Sequence, residues 1–357
     1  MSSTLQERAV RVTRPPLARR LMRRCAFDRF GAVYVWIAII VVFCIWVPST
    51  FATVTTVKQI LNSNSISGIA ALAITIPFCA GVFDLSFGYV MSLTGVTAAH
   101  FLVSGWSVTA AVAIALVVGL GMGLINAIVV VVMRIDSLIG TLATGSLMAA
   151  FITLTTQDIP INNPVLGGPF SDIGQETIAG VSLSVVYCLV IALGMWYFLE
   201  HTASGRRLYA AGFNLDAARL AGIRVNRMRF GALVTSGFVA GVAGIVLAST
   251  TASGTPDAGN DYLLPGFAAV FLGATQLNGR FNAWGTVIAV LLLGTGTIGL
   301  GLADAPAWAA SMFVGIVLIA ALAVTGLQRQ SVGARSRWRD RVARLRGPRR
   351  QQGPAAA

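Results

Sequence analysis

The chain alternates long apolar runs with short polar ones. Ten of the runs approach the roughly 20 apolar residues that a membrane-spanning helix needs. They fall at about 31–49, 64–82, 86–104, 107–133, 137–156, 181–199, 230–250, 263–277, 283–301 and 307–326. The eighth is short and contains Pro265 and Gly266, the mark of a broken or re-entrant segment. The second and third meet at Asp84. The pattern predicts an all-α polytopic membrane protein with about ten transmembrane helices. A basic segment covers 1–30, a membrane domain 31–327 with a polar loop at 200–229, and a basic tail 328–357. No internal repeat is visible by eye.

Composition agrees with a bilayer as solvent. Hydrophobic residues fill 56% of the 357 positions and charged residues 11%, against about 25% charge in a soluble domain. The net charge of +13 suggests nucleic acid until its distribution is considered. Of 26 basic residues, 8 lie between Arg8 and Arg29, 6 between Arg206 and Arg229, and 9 between Arg329 and Arg350. Lys and Arg collect in cytoplasmic segments of membrane proteins, so anionic headgroups are the expected neighbours rather than nucleic acid. With the N-terminus inside, Arg134, the arginine-rich loop, Arg280 and the tail all fall in the cytoplasm. Segments 157–180 and 251–262 fall outside and carry acids but no Lys or Arg. Only Lys58 disagrees. Both termini are therefore expected in the cytoplasm, with the tail either disordered or lying on the inner leaflet. No small-residue cleavage site follows the first apolar run before Pro48, so that run reads as a retained span.

Little in the spans suggests catalysis. Cys25, Cys44, Cys79 and Cys188 have neither metal nor pairing spacing, and the last three read as small packing residues. His100 has no companion at ligand spacing and reads as a buried, hydrogen-bonded residue; no metal site is expected. Gly119 with Gly123, and Gly237 with Gly241, have the spacing that lets helices approach closely. Asp84 is the conspicuous intramembrane acid, and such residues usually have a role. Capping the third helix together with Ser86, contacting a solute path, and carrying a proton are all open to it. Asn126, Thr141 and Thr144 lie in spans, where such side chains bond to their own helix, a neighbour, or a solute. Lys58 is the only lysine and no G-x-x-x-x-G-K-[ST] surrounds it, so the phosphate-gripping lysine of an ATPase is missing.

The loop between the sixth and seventh runs predicts a short helix. Asn214 is a good N-cap and Asp216 lies in the positive first turn. Ala217, Leu220 and Ala221 share one face, Asp216 and Arg219 can pair at i, i+3, and Gly222 is a natural stop.

This segment resembles the cytoplasmic coupling segment of the ribose/xylose/galactose-type permeases of ABC importers, a branched binding-protein-dependent transport permease family whose pattern is close to G-x-N-x-x-A-A-R-L-x-G-I. Gly212, Asn214, Ala217, Ala218, Arg219, Leu220, Gly222 and Ile223 match. Phe213 and Leu215 depart from it. The run from Gly81 through Asp84, Ser86 and Gly88 is similar to the family's G-G-I-D-L-S-V-G. The run from Ala268 to Thr275, with Gly279-Arg280 and Trp284-Gly285-Thr286, is similar to its A-A-V-x-x-G-G-T…G-R…W-G-T. The resemblance implies an inner-membrane permease that hydrolyses nothing and binds no cofactor. ATP and magnesium would sit on a separate ABC ATPase subunit gripping residues 213–223. An extracytoplasmic solute-binding protein would deliver a monosaccharide, and a second permease copy would complete a homodimer. An ion-coupled secondary transporter of a small polar solute and an intramembrane enzyme are the alternatives.

Overall fold

The computed structural model describes residues 27–275 and 279–323, with side chains from 31 onward. The basic segments at either end, and the expectations placed on them and on Cys25, lie outside the described residues. The described chain is almost wholly helical. In order run α1 (Phe27–Trp46), α2 (Pro48–Phe51), α3 (Val54–Cys79), α4 (Phe87–Val103), α5 (Val108–Ala127), α6 (Ser137–Thr156), α7 (Pro169–Gln175) and α8 (Leu183–Trp196). Then follow α9 (Ala203–Phe213), α10 (Leu215–Leu220), α11 (Val225–Thr251), α12 (Leu263–Ala274), α13 (Ala283–Leu302) and α14 (Ala307–Ala323). Among the described residues, six helices are long and apolar enough to cross a membrane. These are α3, α5 with its wider last turn to Val132, α6, α8 with its extension to His201, α11 and α13. Gly31–Trp46, α4 and α14 are shorter apolar helices.

Helices α3 and α11 form the centre. Beyond their polar first turns both are apolar on every side, the pattern of a helix surrounded by others, and α3 is buried almost continuously from Ser65 to Cys79. Helices α5 and α11 cross through glycine. A Cβ on Gly119 would stand 3.0 Å from the Gly237 carbonyl oxygen and 3.1 Å from the Gly241 Cα. The small-residue spacing is thus consumed by a crossing inside one subunit. Helix α1 packs on α13, where Trp36 Nε1 donates to Thr295 Oγ1 at 2.9 Å.

The structure departs from the sequence expectations in three places. Helix α3 starts at Val54, well before the apolar run at 64. Thr53 caps it by accepting from Thr56 N–H at 3.1 Å. Its polar residues find partners in a small hairpin (β1, Thr177–Ile178, and β2, Val181–Ser182) and in α8. Asn62 Oδ1 accepts from Ser182 N–H at 3.0 Å, and Ser65 Oγ bonds Ser184 Oγ at 2.7 Å. Segment 251–262 is not a simple loop beyond the helix ends. Gly254 lies against Val96 and Ala99 of α4, and five residues later Gly259 lies against Gly88 and Met91. The chain thus runs back along α4 in irregular conformation before α12 begins. Finally, His100 is exposed in the last turn of α4, edge-on to Phe101 at 5.8 Å, rather than buried and hydrogen-bonded.

Candidate functional site

The arginine-rich loop folds as two helices broken by the extended backbone of Asn214. Thr202 caps α9 by accepting from Gly205 N–H at 3.0 Å. Asn214 caps α10 by accepting from Ala217 N–H at 3.0 Å. Helix α10 ends as its sequence predicts: Gly222 takes φ +78° and Ile223 N–H bonds the Ala218 carbonyl at 3.0 Å. Asp216 and Arg219 pair at 3.8 Å on the exposed side. Ala218 alone of this turn is buried, packed with Ala211 and Val225. Ala217 and Ala221 face outward, and Phe213 and Leu220 are 86% and 91% exposed. These two large apolar side chains, one ending α9 and one ending α10, therefore stand outside the core.

Helix α9 is fastened to the membrane helices at two points. Gly212 meets the corner between α3 and α4 backbone to backbone. A Cβ on Gly81 would lie 3.1 Å from the Gly212 Cα, and Gly81 itself takes φ +69°. Tyr209 donates its hydroxyl to the Phe281 carbonyl at 2.8 Å and lies 3.2 Å from Glu200. Burial pushes its phenol well above the ordinary tyrosine range, so it serves as a neutral donor. Phe281 in turn stacks on Phe78, at the end of α3, with centroids 5.1 Å apart.

Four of the polar residues named from sequence converge behind this corner. Asp84 is 1% exposed. Its Oδ1 accepts from Ser86 N–H at 3.0 Å and from Ser86 Oγ at 2.7 Å; its Oδ2 accepts from Ser236 Oγ of α11 at 2.7 Å. Asn126 of α5 donates to Ser86 Oγ at 2.6 Å and accepts from Thr144 of α6. Thr141 stands beside them: its Oγ1 accepts from Leu85 N–H at 3.0 Å, as Ser137 Oγ does from Phe83 N–H at 3.1 Å. The irregular backbone between α3 and α4 is therefore satisfied by side chains of α6 and, through Arg229 on the Gly81 carbonyl, of α11, as buried backbone must be. Hydrogen bonds contribute about 0.5–1.5 kcal/mol each, and these link the α3–α4 corner to α5, α6 and α11. Asp84, Ser86, Asn126, Thr141, Thr144 and Ser236 are all buried, and Ser137 is partly buried. Gly88 lies one turn on and serves differently, letting Gly259 close onto α4. Ser92 Oγ accepts from Gly259 N–H at 2.9 Å.

Ser236 had no sequence signal, since a serine in an apolar run resembles any small packing residue. Asp257, Asn260 and Asp261 were assigned to a loop. Asp257 and Asp261 are exposed, and the buried Asn260 Oδ1 has no partner among the described residues. The brief eighth run, with Pro256, Gly259, Pro265 and Gly266 around it, was the available sign that this chain turns inward.

Comparisons with known proteins agree with this architecture. The family described as branched-chain amino acid transport system / permease component matches residues 56–322. The ribose import permease protein of Escherichia coli strain K12 is 33% identical over 280 residues, 77% of this chain and 86% of its own length. A probable ABC transporter permease protein of Sinorhizobium fredii is 32% identical over 271 residues, 74% and 80% of the two chains. The autoinducer 2 import system permease protein of Photorhabdus laumondii is 30% identical over 260 residues, 71% and 78% of the two chains. No solved structure matches.

Proposed function

The chain belongs to the permease-component family of branched-chain amino acid transport systems, and on that premise we propose that it is the inner-membrane subunit of an ATP-binding cassette importer for a monosaccharide of the ribose, xylose or galactose kind. The ribose and autoinducer 2 permeases among its relatives support a small, hydroxyl-rich solute. ATP is hydrolysed on a separate subunit. A solute-binding protein docks on the opposite face, where segment 157–180 folds against the end of α11 and Ile161 pairs with Gly254. Two copies of the chain enclose the path.

The chain crosses ten times, counting α1, α4, α14 and the combined crossing of 252–262 with the short α12 beside the six longest helices, and both termini lie in the cytoplasm. Alternation then places α9, α10 and the Gly81 corner on the cytoplasmic side. It also places 252–262 within the membrane beside α4, where irregular backbone is tolerated only inside protein or along a water-filled path. On this reading the exposed Asp257 and Asp261, with Asn260 between them, face the solute path.

The observation that carries this reading is the backbone contact between Gly212 and Gly81. An ATPase that grips Phe213, Arg219 and Leu220 moves α9 with them. Tight backbone contact leaves no slack between α9 and the corner. The knot around Asp84 then passes the motion to α5, α6 and α11 together. Such a packed body has two discrete arrangements rather than a continuum, which lets ATP bias access. Ion coupling has less support, because Asp84, the only buried carboxylate among the described residues, already accepts three hydrogen bonds.

The test is uptake by vesicles holding the permease, its ATPase and its binding protein. Uptake should require ATP and survive ionophores that collapse ion gradients. Uptake by the permease alone, driven by a gradient, would replace this reading with a secondary transporter.

A further inference from the structure

We propose that the cavity between the α5–α6 turn, α10 and the first turn of α11 binds the headgroup of an anionic phospholipid. The cavity encloses about 640 Å³. Arg134, Arg219 and Arg229 line it, with Asn226 and Ser137 as neutral polar groups and, among the described residues, Asp136 as the only acid. Asp136 is already engaged: its carboxylate caps α6, accepting from Leu138 N–H at 3.0 Å and Ile139 N–H at 3.4 Å.

The arginines are left short of partners. Arg229 gives one Nη2 hydrogen bond to the Gly81 carbonyl at 3.1 Å, while its Nε is buried with no partner among the described residues. Arg219 and Arg229 line the same cavity, so their like charges oppose each other there. Among the described residues Arg219 pairs only with Asp216, at 3.8 Å, and that carboxylate is 88% exposed and does not line the cavity. Among the described residues, neither Arg134 nor Arg229 forms an ion pair. A net positive, partly desolvated pocket of this kind is completed by an anion.

The surroundings select a lipid as its source. The cavity wall continues through Val131 and Ile135, and Val132, Met133 and Ile139 beside it are strongly exposed apolar residues on α5 and α6. A phosphate head in the pocket would leave acyl chains running along that wall. Basic pockets between spanning helices on the cytoplasmic side bind such headgroups. The inference rests on the orientation proposed above. Because Arg229 also holds the Gly81 carbonyl, a bound headgroup would brace the corner on which α9 acts.

The test is native mass spectrometry of the full chain, given equal amounts of phosphatidylglycerol and phosphatidylcholine with identical acyl chains. The wild type should retain phosphatidylglycerol over phosphatidylcholine by more than about tenfold, as two uncompensated charges imply. Arg134→Gln with Arg229→Gln should bring the two lipids within about twofold. Arg134→Lys with Arg229→Lys, which keeps the charge, should restore the preference and shows that loss in the glutamine pair is not misfolding. Equal retention by the wild type, or an undiminished preference in the glutamine pair, would overturn the proposal. Displacement of the lipid by millimolar inorganic phosphate would assign the pocket to a free anion instead. Expulsion of the lipid by the partner ATPase would assign it to an acidic group of that protein. Unlike transport, the lipid preference can fail while ATP-driven uptake stands.

Discussion

Replacing Gly212 by alanine should separate ATP hydrolysis from transport. A Cβ at this position meets the Cys79 carbonyl oxygen head on. It also stands 2.9 Å from the Gly81 nitrogen and 3.0 Å from the Cys79 carbonyl carbon. Unstrained carbon contacts begin near about 3.5 Å, so α9 has to withdraw from the corner by roughly half an ångström or more. All three obstacles are backbone atoms, so no side chain can swing aside. Overpacking of this kind costs about 1–3 kcal/mol, and a change of about 1.4 kcal/mol shifts a two-state population tenfold. Gly212 has no left-handed φ, so alanine adds no backbone strain and the steric effect stands alone. Its place near the end of α9 also limits any gain in helix propensity. In vesicles with the complete importer, Gly212→Ala should lower solute moved per ATP about tenfold, with insertion and ATPase binding intact. Gly231→Ala, where a Cβ meets nothing within 4 Å, serves as the control and should transport normally. Wild-type coupling in Gly212→Ala would refute transmission through this contact.

Three further outcomes follow from the packing. Gly237→Ala places a Cβ 2.6 Å from the Gly119 carbonyl oxygen and from Gly123 backbone atoms; thermal unfolding in detergent should show a loss of about 1–3 kcal/mol. Gly121→Ala, in open space, should be neutral. Asp84→Ala leaves the Ser86 and Ser236 hydroxyls without their acceptor and should destabilise by about 3 kcal/mol or more, whereas Asp84→Asn, which keeps one acceptor, should lose less. Asp261→Ala should reduce solute uptake severalfold while leaving ATP hydrolysis and melting temperature unchanged, as read by parallel transport and unfolding assays.

What could be read from sequence was what local chemistry decides. Helix α10 was legible because its start and stop are local: an Asn214 cap, a Gly222 exit, and an exposed pair three residues apart. The spans were legible where apolar length alone defines them, as in α5 and α6. Long-range partnerships were not. The first ten residues of α3 look like a loop because Asn62 and its polar neighbours depress the hydropathy, and the groups that satisfy Asn62 lie near residue 180. Segment 251–262 looks external because it carries Asp257 and Asp261, and only the closure of Gly259 onto Gly88 shows that it turns inward. Asn126, Thr141 and Thr144 were identifiable one by one as polar groups in apolar runs. Their convergence on Ser86 and Leu85, and the joining of Asp84 to Ser236, depend on helix register. The arginines of the cavity come from three separate segments for the same reason. His100 was misjudged because the last turn of a helix can expose a residue that hydropathy places inside.

The most direct test of the account is co-purification. The chain, tagged and extracted in mild detergent, should bring with it a P-loop ATPase. Arg219→Glu with Leu220→Asp should insert into the membrane normally but purify without that partner and import nothing, because both side chains stand on the exposed face of α10. Retention of the ATPase and normal uptake by the double variant would contradict the assignment of α9 and α10 as the coupling element.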